Sequence, residues 1–193
     1  MWREVLELSR PKNVILATIA VPIGAHLALS GEWTAQLAGL VALQTTSAVC
    51  FMAAGNTLND VADVEIDKMS KAHKPIPSGR ISVESARKSA YGFALLSVAF
   101  MVIGAYLADD PLPVAAIWLL ASILMFTYDS GPRTKNFGLI GNIAISLMVG
   151  AVILFGAASV SLVNTPIVFY AAGVAFFANL AREIVKDLSL IHI

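Results

Sequence analysis

Long apolar stretches without a charged side chain alternate with short charged segments along most of this chain. Stretches free of Lys, Arg, Asp and Glu cover residues 13–31, 33–59, 89–108 and 111–128, and a fifth covers 136–181. A membrane-spanning helix needs about 20 mainly apolar residues, so each of the first four stretches predicts one crossing. The fifth stretch has 46 residues, which is enough for two crossings.

The fifth stretch therefore has to turn back once. Ser161, Asn164 and Pro166 lie near its middle and are residue types typical of turns, so we predict the reversal within 159–166. Spanning segments must satisfy their own backbone hydrogen bonds, and no strand-like alternation is present. The predicted fold is an all-α, multi-pass transmembrane bundle with six spans.

The first span also has to be compared with a cleaved signal peptide. Arg3, Arg10 and Lys12 precede its apolar core, as basic residues precede the core of a secretory signal. This core is longer than that of a signal peptide, and further spans follow it. We expect the segment to remain in the protein as a membrane anchor.

The 13 Lys and Arg residues all fall on one side of a six-span topology. They precede span one or follow spans two, four and six: Arg3, Arg10, Lys12, Lys68, Lys71, Lys74, Arg80, Arg87, Lys88, Arg133, Lys135, Arg182 and Lys186. Lys and Arg near span ends mark the cytoplasmic face. The sequence thus predicts a cell-membrane protein whose N-terminus and 60–88 loop face the cytoplasm.

Composition agrees with a membrane protein and excludes other classes. Hydrophobic residues make up 58% of the chain and charged residues 13%, whereas soluble domains have about 25% charged residues. The formal net charge is zero, which argues against a nucleic-acid-binding protein, since such a protein carries a basic surplus. Cys50 is the single cysteine, so no intrachain disulfide can form.

Four polar side chains at the end of the second span carry the chemical signal. At about 100° per residue, Asn59, Asp60, Asp63 and Asp67 share one helix face, and Glu65 lies on the other. Like charges at this spacing repel, so a cation is expected among them. Carboxylate and amide oxygens suit Mg²⁺, which often takes substrate phosphates as further ligands, and no Cys or His cluster suggests zinc or copper.

Basic residues follow the acidic face directly. Lys68, Lys71, Lys74 and Arg80 bring positive charge beside the carboxylates, as a magnesium diphosphate site requires. Two alternatives remain: a solvated acidic helix end without a ligand, and a basic loop that attracts anionic lipid.

The basic loop is predicted to be ordered. Pro75 and Pro77 prevent a helix from continuing, Ser78 with Gly79 favours a turn, and Ser82 can cap the next helix.

These motifs resemble the UbiA superfamily of intramembrane prenyltransferases. The resemblance is carried by Asn-Asp-x-x-Asp-x-x-x-Asp at 59–67, followed by Lys-Pro-Ile-Pro-Ser-Gly-Arg at 74–80. Weaker similarities are Arg-Pro-Lys-Asn at 10–13, Gly-Leu-Ile-Gly-Asn at 138–142 and Arg-Glu-Ile-Val-Lys-Asp at 182–187.

The resemblance implies nine helices around a cavity, with two acidic motifs facing each other through Mg²⁺ and a diphosphate. It implies metal binding by an amide and several carboxylates: Asn59, Asp60, Asp63, Asp67 and, in the second motif, Asp187. The resemblance gives Asp63 and Asp67 catalytic roles through the metal, together with Tyr128 at the end of span four. It implies diphosphate binding by Lys74, Arg80 and Arg10. The family's basic position after Tyr128 is Pro132 here, so Arg133 or Lys135 is expected to replace it.

The implied reaction is magnesium-dependent prenyl transfer at the membrane. Residues 182–187 are similar to the archaeal branch that transfers a geranylgeranyl group from its diphosphate to the hydroxyl of geranylgeranylglyceryl phosphate. The expected partners are thus a prenyl diphosphate, a lipid-like acceptor and membrane lipid. The alternatives are an aromatic quinone precursor as acceptor or, in a different class, an ion-coupled transporter. The transporter fits less well because the acids lie at a span end and not in mid-span.

The second acidic motif is incomplete in this chain. The family pattern has further acids near 190 and 194, but position 190 is Leu and the chain ends at Ile193. We expect residues 1–187 to be part of a UbiA-type domain, residues 188–193 to be a non-native tail, and the fragment to show little or no activity by itself.

Overall fold

The protein is a bundle of α-helices, and the part of the chain described by the structure contains no strand. The computed structural model describes residues 2–29, 31–129, 131–161 and 165–191. The helices are α1 Trp2–Ser9, α2 Pro11–Ala28, α3 Ala35–Ala62, α4 Val64–Ser70, α5 Val83–Leu107, α6 Pro111–Asp129, α7 Leu139–Ala158 and α8 Pro166–Ile191, with a short 3-10 turn at Thr134–Asn136.

Six of the helices are long and apolar enough to cross a membrane, namely α2, α3, α5, α6, α7 and α8. The predicted all-helical, six-span architecture is therefore confirmed. The largest differences in the boundaries are that α5 begins at Val83 and α8 continues to Ile191, well beyond the charge-free stretches. Long charged side chains at a helix end can reach water along the membrane surface, so charge-free stretches underestimate helix length.

The reversal between the last two spans lies where the turn residues indicate. Helix α7 ends at Ala158 and α8 begins at Pro166. Ser161 has a φ of 58°, a left-handed conformation typical of turns. Asn164 lies outside the described residues.

The outward faces of the spans are apolar. On α6, the exposed large side chains include Leu119, Leu120, Ile123 and Phe126. A soluble protein rarely exposes so large an apolar surface, whereas lipid covers it readily. The bundle is thus a multi-pass membrane protein.

Two glycines set the crossing of α2 and α7. A Cβ atom on Gly24 would lie 2.0 Å from the backbone oxygen of Ile153, and one on Gly156 would lie 2.0 Å from that of Val21. Only glycine permits this approach, and small residues commonly mark close helix contacts in membranes. The crossing is buried among Val21, Ala25 and further apolar residues.

Polar pairs join α3 to α5 and α5 to α6 within the bundle. Ser47 Oγ donates to the backbone oxygen of Ser97 at 2.8 Å, and Gln44 Nε2 donates to that of Met101 at 3.2 Å. Trp118 Nε1 donates to Ser97 Oγ at 3.1 Å. Such bonds contribute modestly to helix association in membranes, and here they fix α5 against α3 and α6.

The short helix α1 was not predicted from the sequence. Its charged residues hide an amphipathic pattern, in which Val5 and Leu8 pack on Ile76 and Ile81 of the basic loop. The helix ends at Ser9. Arg10 follows with a left-handed φ of 54°, and α2 begins directly after it with a proline at its first position. This sharp turn directs Arg10 toward the acidic motif.

Candidate active site

The acidic motif lies where α3 ends and α4 begins. A single helix through Asp67 was predicted, but the structure divides it at Asp63, which has φ −99° and ψ 8°. The division points the carboxylates to two sets of partners, because Asp63 contacts the connection between α6 and α7 while Asp67 contacts the basic loop. Glu65 points elsewhere and pairs with Lys68 at 2.7 Å, as the helix geometry predicts.

The first set of contacts centres on Lys74. Its Nζ lies 2.6 Å from Asp67 Oδ2 and 3.0 Å from Asp60 Oδ1. Arg10 Nη2 approaches the same Asp60 oxygen at 2.6 Å, and Lys71 adds a contact of 3.4 Å to Asp67. Both carboxylates are buried, so each has exchanged water for cationic partners.

This pairing shifts the pKa values of both partners. Burial by itself would raise the pKa of Asp67, but hydrogen bonds and charge from Lys74, followed by Lys71, outweigh burial and lower it. Burial would lower the pKa of Lys74, but Asp67 and Asp60 outweigh it and raise the pKa. Both groups are therefore held in their charged forms across the neutral range.

The loop that carries Lys74 is ordered, as its prolines and turn residues indicate. Ser78 Oγ donates to the backbone oxygen of Lys74 at 2.6 Å, and Ser82 caps α5 by accepting from the Ser85 backbone N–H. Arg80 makes a bidentate ion pair with Glu7 of α1, with N–O distances of 2.8 and 3.0 Å. The hydrogen bond from Arg80 is the largest effect that lowers the pKa of Glu7.

Arg80 is thus held on α1 and is not among the side chains that contact the acidic motif. Its predicted role in diphosphate binding stays a prediction.

The second set of contacts centres on Asp63. Lys135 Nζ lies 2.8 and 2.9 Å from its two oxygens, and Arg133 Nη2 lies 2.9 Å from Oδ1. Both cations come from the connection between α6 and α7, where the sequence left either one open as the replacement for Pro132. Both contact the motif, and Arg133 does so from a left-handed backbone with a φ of 53°.

Asp129 is a member of the site that sequence reasoning missed. It ends α6 and is only 8% exposed. Its Oδ1 accepts a hydrogen bond from Asn59 Nδ2 and lies 3.3 Å from Lys135 Nζ. The signal available in the sequence was a lone acid at the end of a charge-free span, directly after Tyr128, which is itself partly buried.

The Gly138–Asn142 segment joins the site to α8. Gly138 precedes α7 with a φ of 52°. A Cβ atom on Gly141 would lie 2.8 Å from Lys135 Cα, so this glycine lets the Lys135 segment lie against α7. Asn142 Nδ2 donates to Asp187 Oδ2 at 2.7 Å, and thus Asp187 contacts α7, with no described contact to the first motif. Its role as a metal ligand stays a prediction.

The second motif holds another buried acid. Glu183 is 5% exposed and pairs with Arg182 and Lys186 on its own helix. It is therefore neutralised within α8.

The chemistry of these groups fits a hard cation with an anionic ligand. The atoms of the acidic face that can coordinate a metal are oxygens, which Mg²⁺ prefers. Within the described residues, the carboxylates lie in separate cation-bound groups, and no three acidic, His or Cys side chains gather around one point. Two buried potential donors, Arg133 Nε and Thr134 Oγ1, have no hydrogen-bond partner among the described residues. Phosphate oxygens would satisfy them, so the residues fit a metal-bound diphosphate.

Comparison with known proteins decides the family. The sequence profile described as the UbiA prenyltransferase family matches residues 14–191. The chain belongs to this family. The resemblance seen in the motifs is thereby confirmed, and the family is one of prenyltransferase enzymes, which argues against the transporter alternative.

Individual relatives agree. The digeranylgeranylglyceryl phosphate synthase of Methanopyrus kandleri is 40% identical over 187 residues, which cover 96% of this chain and 63% of that protein. A solved structure that concerns digeranylgeranylglyceryl phosphate synthase in membranes has a TM-score of 0.81 at 27% identity, covering 99% of this chain and 64% of the other.

A second solved structure shares the fold. It is a UbiA homologue from Archaeoglobus fulgidus bound to GPP and Mg²⁺, with a TM-score of 0.66 at 20% identity, and the match covers 96% of this chain and 63% of that one. The chain thus spans somewhat less than two thirds of the length of each of these proteins.

Proposed function

We propose that this chain forms the catalytic face of a magnesium-dependent prenyltransferase that moves a geranylgeranyl group to geranylgeranylglyceryl phosphate. The observation that carries the proposal is the meeting of Asp60, Asp63 and Asp67 with five cations from three separate segments, Arg10, Lys71, Lys74, Arg133 and Lys135. The names of the relatives support the acceptor, and the homologue bound to GPP and Mg²⁺ supports the donor and metal.

The acidic face and its cations have different roles in this proposal. Asn59, Asp60, Asp63 and Asp67, with Asp187 from the second motif, hold Mg²⁺. When bound, Mg²⁺ stabilises the negative charge that develops on the departing diphosphate. Four of these cations, Arg10, Lys74, Arg133 and Lys135, bind the diphosphate oxygens. Arg80, which pairs with Glu7 in the structure, joins them when substrate is bound.

The lysines and arginines change partners as substrate binds. In the structure Lys74 and Lys135 neutralise carboxylates. In the complex they donate to diphosphate oxygens instead, and their charge favours breaking of the bond between the allylic carbon and the diphosphate oxygen. The electron pair leaves with the diphosphate.

The acceptor then closes the reaction. The hydroxyl oxygen of geranylgeranylglyceryl phosphate forms the new carbon–oxygen bond with the allylic cation, and its proton leaves late to the released diphosphate. No strong base is needed beforehand, because the cation is a potent electrophile. The surrounding apolar helices exclude water, which would otherwise capture the cation. We include Tyr128 in the proposal as a catalytic residue, which is the role that the family resemblance gives it.

The orientation follows from the distribution of charge. All 13 Lys and Arg residues lie on one side of the six-span topology, so we propose that the N-terminus and the acidic motif face the cytoplasm. Prenyl diphosphates are water-soluble at their head group and would reach the site from that side.

Binding of the donor tests the proposal. The chain in lipid nanodiscs should take up labelled geranylgeranyl diphosphate only with Mg²⁺, and Asp63→Ala should weaken this uptake about 10- to 100-fold. The matched control is Glu84→Ala, since Glu84 is exposed and pairs with Lys88, which is exposed as well. Uptake without Mg²⁺, or an Asp63→Ala variant that binds like Glu84→Ala, would contradict the proposal.

The identity of the acceptor is tested with a longer protein. A chimera that joins residues 1–187 to the corresponding C-terminal part of the Methanopyrus kandleri relative supplies the length that this chain does not cover. With Mg²⁺ and donor, mass spectrometry should detect an ether product from geranylgeranylglyceryl phosphate and none from 4-hydroxybenzoate. A prenylated aromatic product would instead support the quinone-precursor alternative.

A further inference from the structure

Asp129 is a buried carboxylate that lies outside every motif named in the sequence. It ends α6, is 8% exposed, and is separated by 70 positions from Asn59, to which it is hydrogen-bonded. Its neighbours are the amide of Asn59 and the ammonium group of Lys135. A buried acid with these two partners requires an explanation, because burying a carboxylate costs free energy unless it is paired.

The contacts of Asn59 fix the orientation of its amide. An ionised carboxylate can only accept hydrogen bonds, so the Asn59 atom that faces Asp129 must be the nitrogen. A guanidinium can only donate, so the Asn59 atom that lies 3.0 Å from Arg10 Nη2 must be the oxygen. The two partners impose the same orientation independently. The oxygen of Asn59 is thus directed to the side of the site where Arg10 also binds Asp60.

Asp129 also holds Lys135. The ammonium group lies 3.3 Å from Asp129 and 2.8 Å from Asp63, and the Lys135 side chain is only 12% exposed. Asp129 thus gives this cation a second carboxylate partner that does not depend on Asp63.

We propose that Asp129 is a positioning residue that directs the Asn59 oxygen toward the metal and anchors Lys135 beside Asp63. The part concerning the metal rests on the function proposed above. Residues that orient metal ligands usually affect metal affinity strongly when they are changed. Asp129 acts here through Asn59 and Lys135, and the tests address each of the two separately.

The first test measures metal affinity in a double-mutant cycle. Mn²⁺, which replaces Mg²⁺ and gives an electron paramagnetic resonance signal, is titrated into the 193-residue chain in nanodiscs. We expect Asp129→Ala and Asn59→Ala each to raise the Mn²⁺ dissociation constant about 10- to 100-fold. Because both act through one ligand, the double variant should bind no more weakly than the weaker single variant.

A conservative variant separates positioning from general packing. In Asp129→Asn the side-chain oxygen can still accept from the Asn59 amide, so this variant should recover part of the lost affinity, whereas Asp129→Leu should not. Additive losses in the double variant, or an Asp129→Ala variant with the affinity of the original chain, would overturn the metal part of the inference.

The second test needs no metal. Acetylation of lysines, followed by mass spectrometry, should label Lys135 slowly in the original chain and clearly faster in Asp129→Ala. Lys88, whose side chain is 75% exposed, provides the internal control and should not change. If Mn²⁺ does not bind the original chain at all, the proposed function and the metal part fail together, while this labelling still decides the anchoring of Lys135. Equal labelling of Lys135 in both chains would overturn that anchoring.

Discussion

The charged end of the bundle and the α2–α7 crossing are held together by opposite means. At the charged end, partners distant in sequence meet through long side chains, such as Lys135 on Asp63 and Arg10 on Asp60. At the crossing, side chains are absent where the helices meet, because Gly24 and Gly156 let the backbones touch.

The difference shows which changes each region tolerates. A flexible lysine can exchange one anionic partner for another, and therefore the charged end can accept a ligand without a change of fold. Two backbones in contact have no such freedom. We expect substitutions at the crossing to act mainly on stability and substitutions at the charged end to act mainly on binding, with smaller effects on stability.

The largest effect is expected at the crossing. Gly24→Ala would place a methyl group 2.0 Å from a backbone oxygen, so the helices must separate, at a cost of about 3 kcal/mol. Gly173→Ala is the matched control, because a Cβ atom there meets nothing within 4 Å. Unfolding in detergent by increasing dodecyl sulfate measures both. A Gly24→Ala variant as stable as the control would break the comparison between the two regions.

A smaller effect is expected at Gly141, where a close backbone approach supports an ion pair of the charged end. Gly141→Ala would place its Cβ atom 2.8 Å from Lys135 Cα and should push Lys135 away from Asp63. We expect magnesium-dependent binding of geranylgeranyl diphosphate to weaken about 10-fold, which is about 1.4 kcal/mol, with little change in unfolding. Gly92→Ala, which meets nothing within 4 Å, should leave binding unchanged. If Gly141→Ala lowered stability without weakening binding, Gly141 would act as the glycines of the α2–α7 crossing do.

The smallest effect concerns pH. The pKa of Asp67 is lowered in the fold, so its pairing stabilises the protein above its ordinary pKa of about 4. That contribution is lost as the pH falls through the lowered folded value. Lys74, with a raised pKa, contributes below about pH 10.5 and loses its contribution as the pH rises through its folded value.

Asp67→Asn should therefore be less stable than the original chain near pH 7, and the difference should shrink as the pH falls below about 4. Unfolding curves for the two chains across this range measure it. A difference that stays constant down to pH 2 would show that the Asp67 charge does not stabilise the fold.

The sequence allowed the spans and the acidic and basic segments to be predicted because their signals are local. Charge-free length indicates a crossing, and the structure confirms six. Ser82 as a helix cap and Glu65 as the outlying acid were also read correctly, since each depends on fewer than ten neighbouring residues.

What could not be predicted depends on contacts between distant segments. Asp129 is a single acid without a spacing pattern. Its place in the site becomes visible when α6 packs beside α3 and brings it to Asn59. Arg80 was grouped with Lys74 by sequence proximity, yet α1 captures it through Glu7. The break at Asp63 separates α3 from α4, although the sequence around it is compatible with one continuous helix.

The mutual pairing of acids and bases at the charged end makes the site nearly electroneutral. A divalent cation arriving by itself would leave ammonium groups facing it, and a diphosphate arriving by itself would face carboxylates stripped of their partners. Each ion compensates for the imbalance created by the other, so the two should enter as a complex or cooperatively. Magnesium or phosphate by itself would then bind this site more weakly than the two ions bind together.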